Sequence, residues 1–92
     1  MIIDQRMTDY AQLLCSATRN HPRVRQGLGP DHARQIVDLA SRAATDDGRG
    51  WVTPADIKKV FKTYPRGKIF CVDDAPEVDA VIVDVLDHTA VP

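Results

Sequence analysis

The sequence has two cysteines, five aromatic residues and no long apolar run, and each scarcity closes off a class of protein. Cys15 and Cys71 belong to no Cys-x-x-Cys spacing, so neither a zinc site nor a disulfide framework is signalled, and reduced, partly buried thiols are expected. No stretch approaches the ~20 apolar residues that cross a bilayer. Met1-Ile2-Ile3-Asp4 has neither the basic start nor the apolar core of a signal sequence, so a cytoplasmic location with no membrane partner is expected. Catalytic signatures are missing as well. There is no Gly-x-x-x-x-Gly-Lys-Ser/Thr loop to cradle phosphates, no His-Glu-x-x-His helix and no Gly-x-Ser-x-Gly turn, so the chain alone is not expected to be an enzyme. His21, His32 and His88 share no helical face with another good ligand and read as surface or capping histidines rather than a metal site. Asp46-Asp47 and Asp73-Asp74 lack the alternating oxygen ligands of a calcium loop and read as a solvated turn and a helix start.

The 92 residues that are present, 43% hydrophobic and 27% charged, suit a single small globular domain with a thin core. The net charge of -1 hides a split: residues 1–45 carry six Arg against four Asp, and residues 73–92 carry six acids and no Lys or Arg. The basic cluster Lys58, Lys59, Lys62, Arg66 and Lys68 is the best nucleic-acid candidate, because helix-turn-helix domains also set a capped helix after a Gly-containing turn. The acidic end argues against it. Trp51, Tyr64 and Phe70, the aromatics able to stack on bases, read as core.

Helical spacing of Ile3, Met7, Tyr10, Leu14 and Ala17 or Thr18 predicts a first helix over about 4–19, stopped where His21 precedes Pro22. The stretch to Gly29 reads as a loop. A second helix over 30–46 begins at Pro30, buries Ala33, Ile36, Val37, Ala40 and Ala44, and shows solvent an Arg34, Asp38, Arg42 ladder. A third, over 54–64, has Thr53 as cap, Asp56 closing a capping box, and Ile57, Val60, Phe61 and Tyr64 as its buried stripe. Ile69 to Val72 reads as extended, pairing with Trp51 and Val52. Val78 to Leu86 is rich in β-branched residues and admits a strand. A helix over 75–88 is preferred, from the Asp74…Glu77 capping start, Pro76 in a first turn, and the 3.6 spacing of Val78, Val81, Ile82, Val85 and Leu86. The expected fold is therefore all-α, a small four-helix bundle with one short extended pair.

Two stretches carry more information than periodicity does: Ala17-Thr18-Arg19-Asn20-His21-Pro22-Arg23-Val24-Arg25-Gln26-Gly27-Leu28-Gly29-Pro30, and Asp47-Gly48-Arg49-Gly50-Trp51-Val52-Thr53-Pro54-Ala55-Asp56-Ile57. Together they resemble the C-terminal lid domain of MoxR-type AAA+ ATPases, whose lids read A-T-R-x-H-P-x-V-x-x-G-A-S-P-R and then D-G-R-x-x-V-T-P-x-D-V, and close with an amphipathic helix ending in V-P, as Thr89-Ala90-Val91-Pro92 does. The resemblance implies a helical cap that packs on a nucleotide-binding core and swings with ATP binding and hydrolysis. ATP and Mg would be bound by that core, not by this chain. It further implies ring assembly and chaperone-like remodelling or activation of client proteins, often ones with von Willebrand factor A domains. Arg19, His21, Pro22 and Gly27 match the pattern, and the resemblance sets the first three near the junction with the core. A local role, with Pro22 ending a helix and Arg19 and His21 capping its carbonyls, stands beside that reading.

The departures bear on mechanism. In the family an Arg follows Ser-Pro at the start of the second lid helix and faces the ATP phosphates, the sensor 2 position. Here Asp31 follows Pro30. A carboxylate ~4 Å from a phosphate charge turns ~4 kcal/mol of attraction into similar repulsion at an effective dielectric near 20. Either Arg34, one turn further on the same face, reaches in, or nucleotide sensing is lost. The family's His-Arg pair after a continuous third helix is replaced by Tyr64-Pro65-Arg66-Gly67-Lys68, in which Arg66 and Lys68 keep positive charge for a neighbouring subunit or the core. Three functions are thus expected in order: a lid module of such an ATPase, a free-standing interaction module descended from one, and a DNA-binding helical domain.

Overall fold

The computed structural model describes residues 2–71 and 78–92, with the side chains of residues 70 and 71 left out. Four helices account for most of it, in the order α1 (Gln5–Asn20), β1 (Val24–Gln26), α2 (Pro30–Asp46), α3 (Pro54–Phe61), β2 (Phe70–Cys71) and α4 (Val78–His88). The all-α expectation holds. None of the described helices is long and apolar enough to cross a membrane.

Each helix is set by its ends and its buried stripe. The Asp4 carboxylate caps α1 by accepting the Arg6 N–H at 2.9 Å, and Met7, Tyr10, Ala11, Leu14, Cys15 and Thr18 face inward. His21 is extended, as the following Pro22 requires, and ends the helix. Pro30 opens α2 behind Gly29, whose N–H is taken by the His32 ring Nδ1 at 3.0 Å. His32 is thus one of the capping histidines. Ala33, Ile36, Val37, Ala40 and Ala44 form the buried face, and Gly48 at φ +75° makes the left-handed turn that closes the helix.

Four expectations need correction. The third helix stops at Phe61 rather than Tyr64: residues 62–68 continue as turns, in which the Thr63 N–H donates three residues back to the Val60 carbonyl and Pro65 has no N–H to carry the helix on. The segment before Gly29 is not wholly loop. Val24–Gln26 forms a strand that pairs antiparallel with Phe70–Cys71, Val24 opposite Cys71. The extended residues near 69–72 therefore pair with β1, not with Trp51 and Val52. Trp51 instead makes an isolated parallel bridge to Ile2 and is 54% exposed, so it is not core.

The β-branched segment is a helix, with Val81, Ile82 and Val85 buried. Its expected start at 75–77, the Asp74…Glu77 cap, Pro76, the Asp73-Asp74 pair and the Phe70 and Cys71 side chains lie outside what is described. α1 is the central element and packs on α2, α3, α4 and β1. One cluster fills the space between them. Tyr10, Leu14, Leu28, Ile36, Ile57, Phe61 and Val81 are its large, fully buried members. Cys15 is a free, buried thiol whose pKa burial pushes up to about 11.

Candidate functional site

The two informative stretches fold into two backbone clamps. In the first, the buried Thr18 hydroxyl donates to the Cys15 carbonyl at 2.6 Å and accepts the Leu28 N–H at 3.0 Å. Arg19 then takes the other side of the same residue, its Nη1 donating to the Leu28 carbonyl at 2.6 Å. Leu28 is fully buried, so both its polar backbone groups need partners, and adjacent residues of α1 supply them. The close approach depends on Gly27: a Cβ there would lie 2.6 Å from the Arg19 nitrogen and 2.8 Å from the Thr18 carbonyl carbon. Arg19 therefore caps the returning loop, not the free carbonyls of its own helix.

The second clamp joins the α2–α3 turn to the start of α3. Arg49 grips Asp56 with two donors, Nη1 to Oδ2 at 2.8 Å and Nη2 to Oδ1 at 2.6 Å, and also reaches Asp47 at 3.0 Å. Oδ2 of Asp56 further accepts the Thr53 N–H at 2.8 Å, which completes the expected capping box. Asp56 is 6% exposed. Its carboxyl is lowered to about 2, first by the Arg49 hydrogen bonds and then by those from Thr53, against the opposing effect of burial. The same bonds raise Arg49 further above its already high value.

Beside the first clamp, a cleft of about 640 Å³ opens between α1 and the start of α2, lined by Leu13, Cys15, Arg19, Pro30, Ala33 and Pro92 among others. An adjoining hollow of about 260 Å³ shares Gln12, Pro30 and Ala33 with it and is lined also by Asp31, Arg34 and Asp38. Of the expected site residues, Arg19 and Pro30 thus line the cleft, Pro30, Asp31 and Arg34 the hollow adjoining it, and Gly27 packs on the Arg19 backbone. Asp31 and Arg34 are both exposed.

The others lie elsewhere. The ring Nδ1 of His21 accepts the Arg23 N–H at 3.1 Å, which leaves its proton on Nε2, 2.7 Å from Asp84 Oδ2. His88 of α4 meets the other carboxylate oxygen of Asp84 at 3.1 Å. Its bond to the Asp84 carbonyl, helped by the nearby Asp84 charge, raises its pKa. Pro22 is exposed beside this contact. Arg66 pairs with Asp79 of α4 at 3.0 Å, and Lys68 lies 4.5 Å from the centre of the Tyr64 ring. Arg66 therefore ties the turns after α3 to α4, and Lys68 folds back on Tyr64 within the same turns. Among the described residues no group of three potential ligands is placed to hold a metal ion.

Sequence reasoning missed Asp84, Leu28 and the pairing of Arg49 with Asp56. Asp84 had no signal, being one of several acids on an acidic helix. Leu28 was a single apolar residue between two glycines, and Arg49 lay within reach of an acid already assigned as a helix cap. No family model, no curated protein and no solved structure matches the chain.

Proposed function

We propose that this chain is the lid module of a MoxR-type AAA+ ATPase, coupling ATP binding and hydrolysis in a separate core to chaperone-like remodelling or activation of client proteins. One observation carries the reading. Seven of the positions that match the family pattern, Thr18, Arg19 and Gly27 in one stretch and Asp47, Arg49, Thr53 and Asp56 in the other, form the two backbone clamps, whereas His21 and Pro22, which also match, lie outside them. A pattern whose members act together is harder to meet by chance than one of scattered residues. The groove of Arg19, Pro30, Asp31 and Arg34 is the surface that meets the core, where ATP and Mg are bound. The chain performs no chemistry itself, and the assembly works in the cytoplasm.

The test is a chimaera in which residues 1–92 replace the lid of a MoxR-type ATPase. ATP turnover well above that of the lidless core supports the proposal, and turnover no higher than the lidless core rejects it. Asp31 favours a second reading, an interaction module that keeps the lid fold without sensing nucleotide. Under that reading the isolated chain binds the lidless core in a pull-down and leaves its turnover unchanged.

A further inference from the structure

The charges of the chain are segregated by sign. Residues 58–68 hold all four lysines and one arginine with no acid, whereas residues 73–92 hold six acids and no Lys or Arg. The exposed Lys58 and Lys59 of α3 and Lys62, which caps its C-terminal end, share the outward face with Ala55. Among the described residues none of these three lysines forms an ion pair. On α4, Asp79, Val83 and Asp87 recur every four residues and are exposed, Val83 to 56%.

Within one molecule the described contact between the two runs is Arg66 with Asp79, whose side chains stay 60% and 70% exposed. That pair joins the edges of the two runs, and among the described residues no acid forms an ion pair with Lys58, Lys59 or Lys62. We propose that a second copy of this chain supplies the acids, its α4 stripe of Asp79, Val83 and Asp87 docking on Lys58 and Lys59 of α3 and on Lys62 at its C-terminal end. At 1.5 Å per residue the two carboxylates stand about 12 Å apart, and Lys58 and Lys62 about 6 Å. Long lysine side chains span the difference, and their methylene stems cover Val83 between the carboxylates. A net charge of -1 leaves little overall repulsion between copies. Two different surfaces meet, so the contact is heterologous and each copy keeps one face free for the next. A polyanion such as DNA fits less well, because the acidic run beside the lysines repels it. This inference stands independently of the lid assignment.

Sedimentation of the full chain across a dilution series tests it at about 0.01 M and about 1 M salt, where screening lengths are roughly 30 Å and 3 Å. The expected result is a mass above the 10.2 kDa monomer at low salt that returns to the monomer at high salt. Lys58→Gln/Lys59→Gln/Lys62→Gln and Asp79→Asn/Asp87→Asn should each be monomeric alone, with circular dichroism showing the helices retained. Mixed in equal amounts, they should form a 1:1 pair and nothing larger, since each retains one native face. Arg34→Gln/Arg42→Gln, which removes positive charge from α2 instead, should still associate. A wild-type chain monomeric at both salts, association that strengthens with salt, a mixture that stays monomeric or grows past a pair, or loss of association in the α2 variant would each overturn the proposal.

Discussion

At the scale of single residues, Gly27 and Asp56 control whether the two clamps close. Gly27 lies against backbone atoms of Thr18 and Arg19 that cannot step aside as a side-chain tip could. Gly27→Ala should therefore cost more than about 2 kcal/mol, the upper part of the overpacking range, read as a lowered denaturation midpoint. Gly50→Ala, with nothing within 4 Å of the new methyl, should stay within about 0.5 kcal/mol. Asp56 acts through charge. Its carboxyl is held at about 2 in the folded chain, below the ~3.9 of an unfolded one. The stability it adds is fully present above pH ~4 and disappears as pH falls towards 2. Asp56→Asn should be weaker than the wild type by on the order of 2 kcal/mol at neutral pH, for loss of charged hydrogen bonds. In denaturant titrations that gap should narrow steadily as pH drops from about 4 to 2.

Among the elements, α4 is where local preference and periodicity compete. Val78 to Leu86 has the composition of a strand, yet the residues buried are Val81, Ile82 and Val85, a helical set. A strand would alternate, placing Val81, Val83 and Val85 on one face. Val83 decides between them because the helix leaves it 56% exposed. Val85→Ala should cost about 2 kcal/mol and Val83→Ala less than about 0.5 kcal/mol, measured by thermal unfolding. This element was legible because its apolar residues follow 3.6 spacing over three turns, and α1, α2 and the start of α3 were legible for the same reason, with a capping residue or a proline at their starts. The β1 strand was not. Three residues in a stretch with two glycines and two prolines show no alternation, and their pairing with residues 70–71 is a long-range contact that no local pattern encodes. Trp51 was misplaced on composition alone, since a large aromatic is more often buried than bridged at an edge. In the candidate site, Arg19, Pro30, Asp31 and Arg34, expected from the family resemblance, line two adjoining hollows. The sequence did not show that His21 and Arg66 turn away from them, because those directions depend on Asp84 and Asp79 of the distant α4, nor that Lys68 folds back on Tyr64 in the turns after α3.

For the whole molecule, the proposed lid role predicts how the groove between α1 and α2 responds to a phosphate. Asp31 lies in the first turn of α2, where a carboxylate complements the positive end of the helix dipole and stabilises it by roughly 0.3–1 kcal/mol. The same charge repels a nucleotide phosphate brought to that helix start. Local stability and nucleotide sensing therefore pull this position in opposite directions, and the residue present favours stability. Arg34 lines the same hollow one turn along. In the chimaeric ATPase, Asp31→Arg should raise ATP turnover while lowering the unfolding midpoint of the isolated chain by the small amount that the dipole contributes. Arg34→Gln separates the two mechanisms. If Arg34 reaches the phosphates, its loss lowers turnover in the Asp31 chimaera and has less effect once Asp31→Arg supplies a second cation. If the groove has ceased to sense nucleotide, Arg34→Gln leaves turnover unchanged in the Asp31 background, and Asp31→Arg alone restores the response.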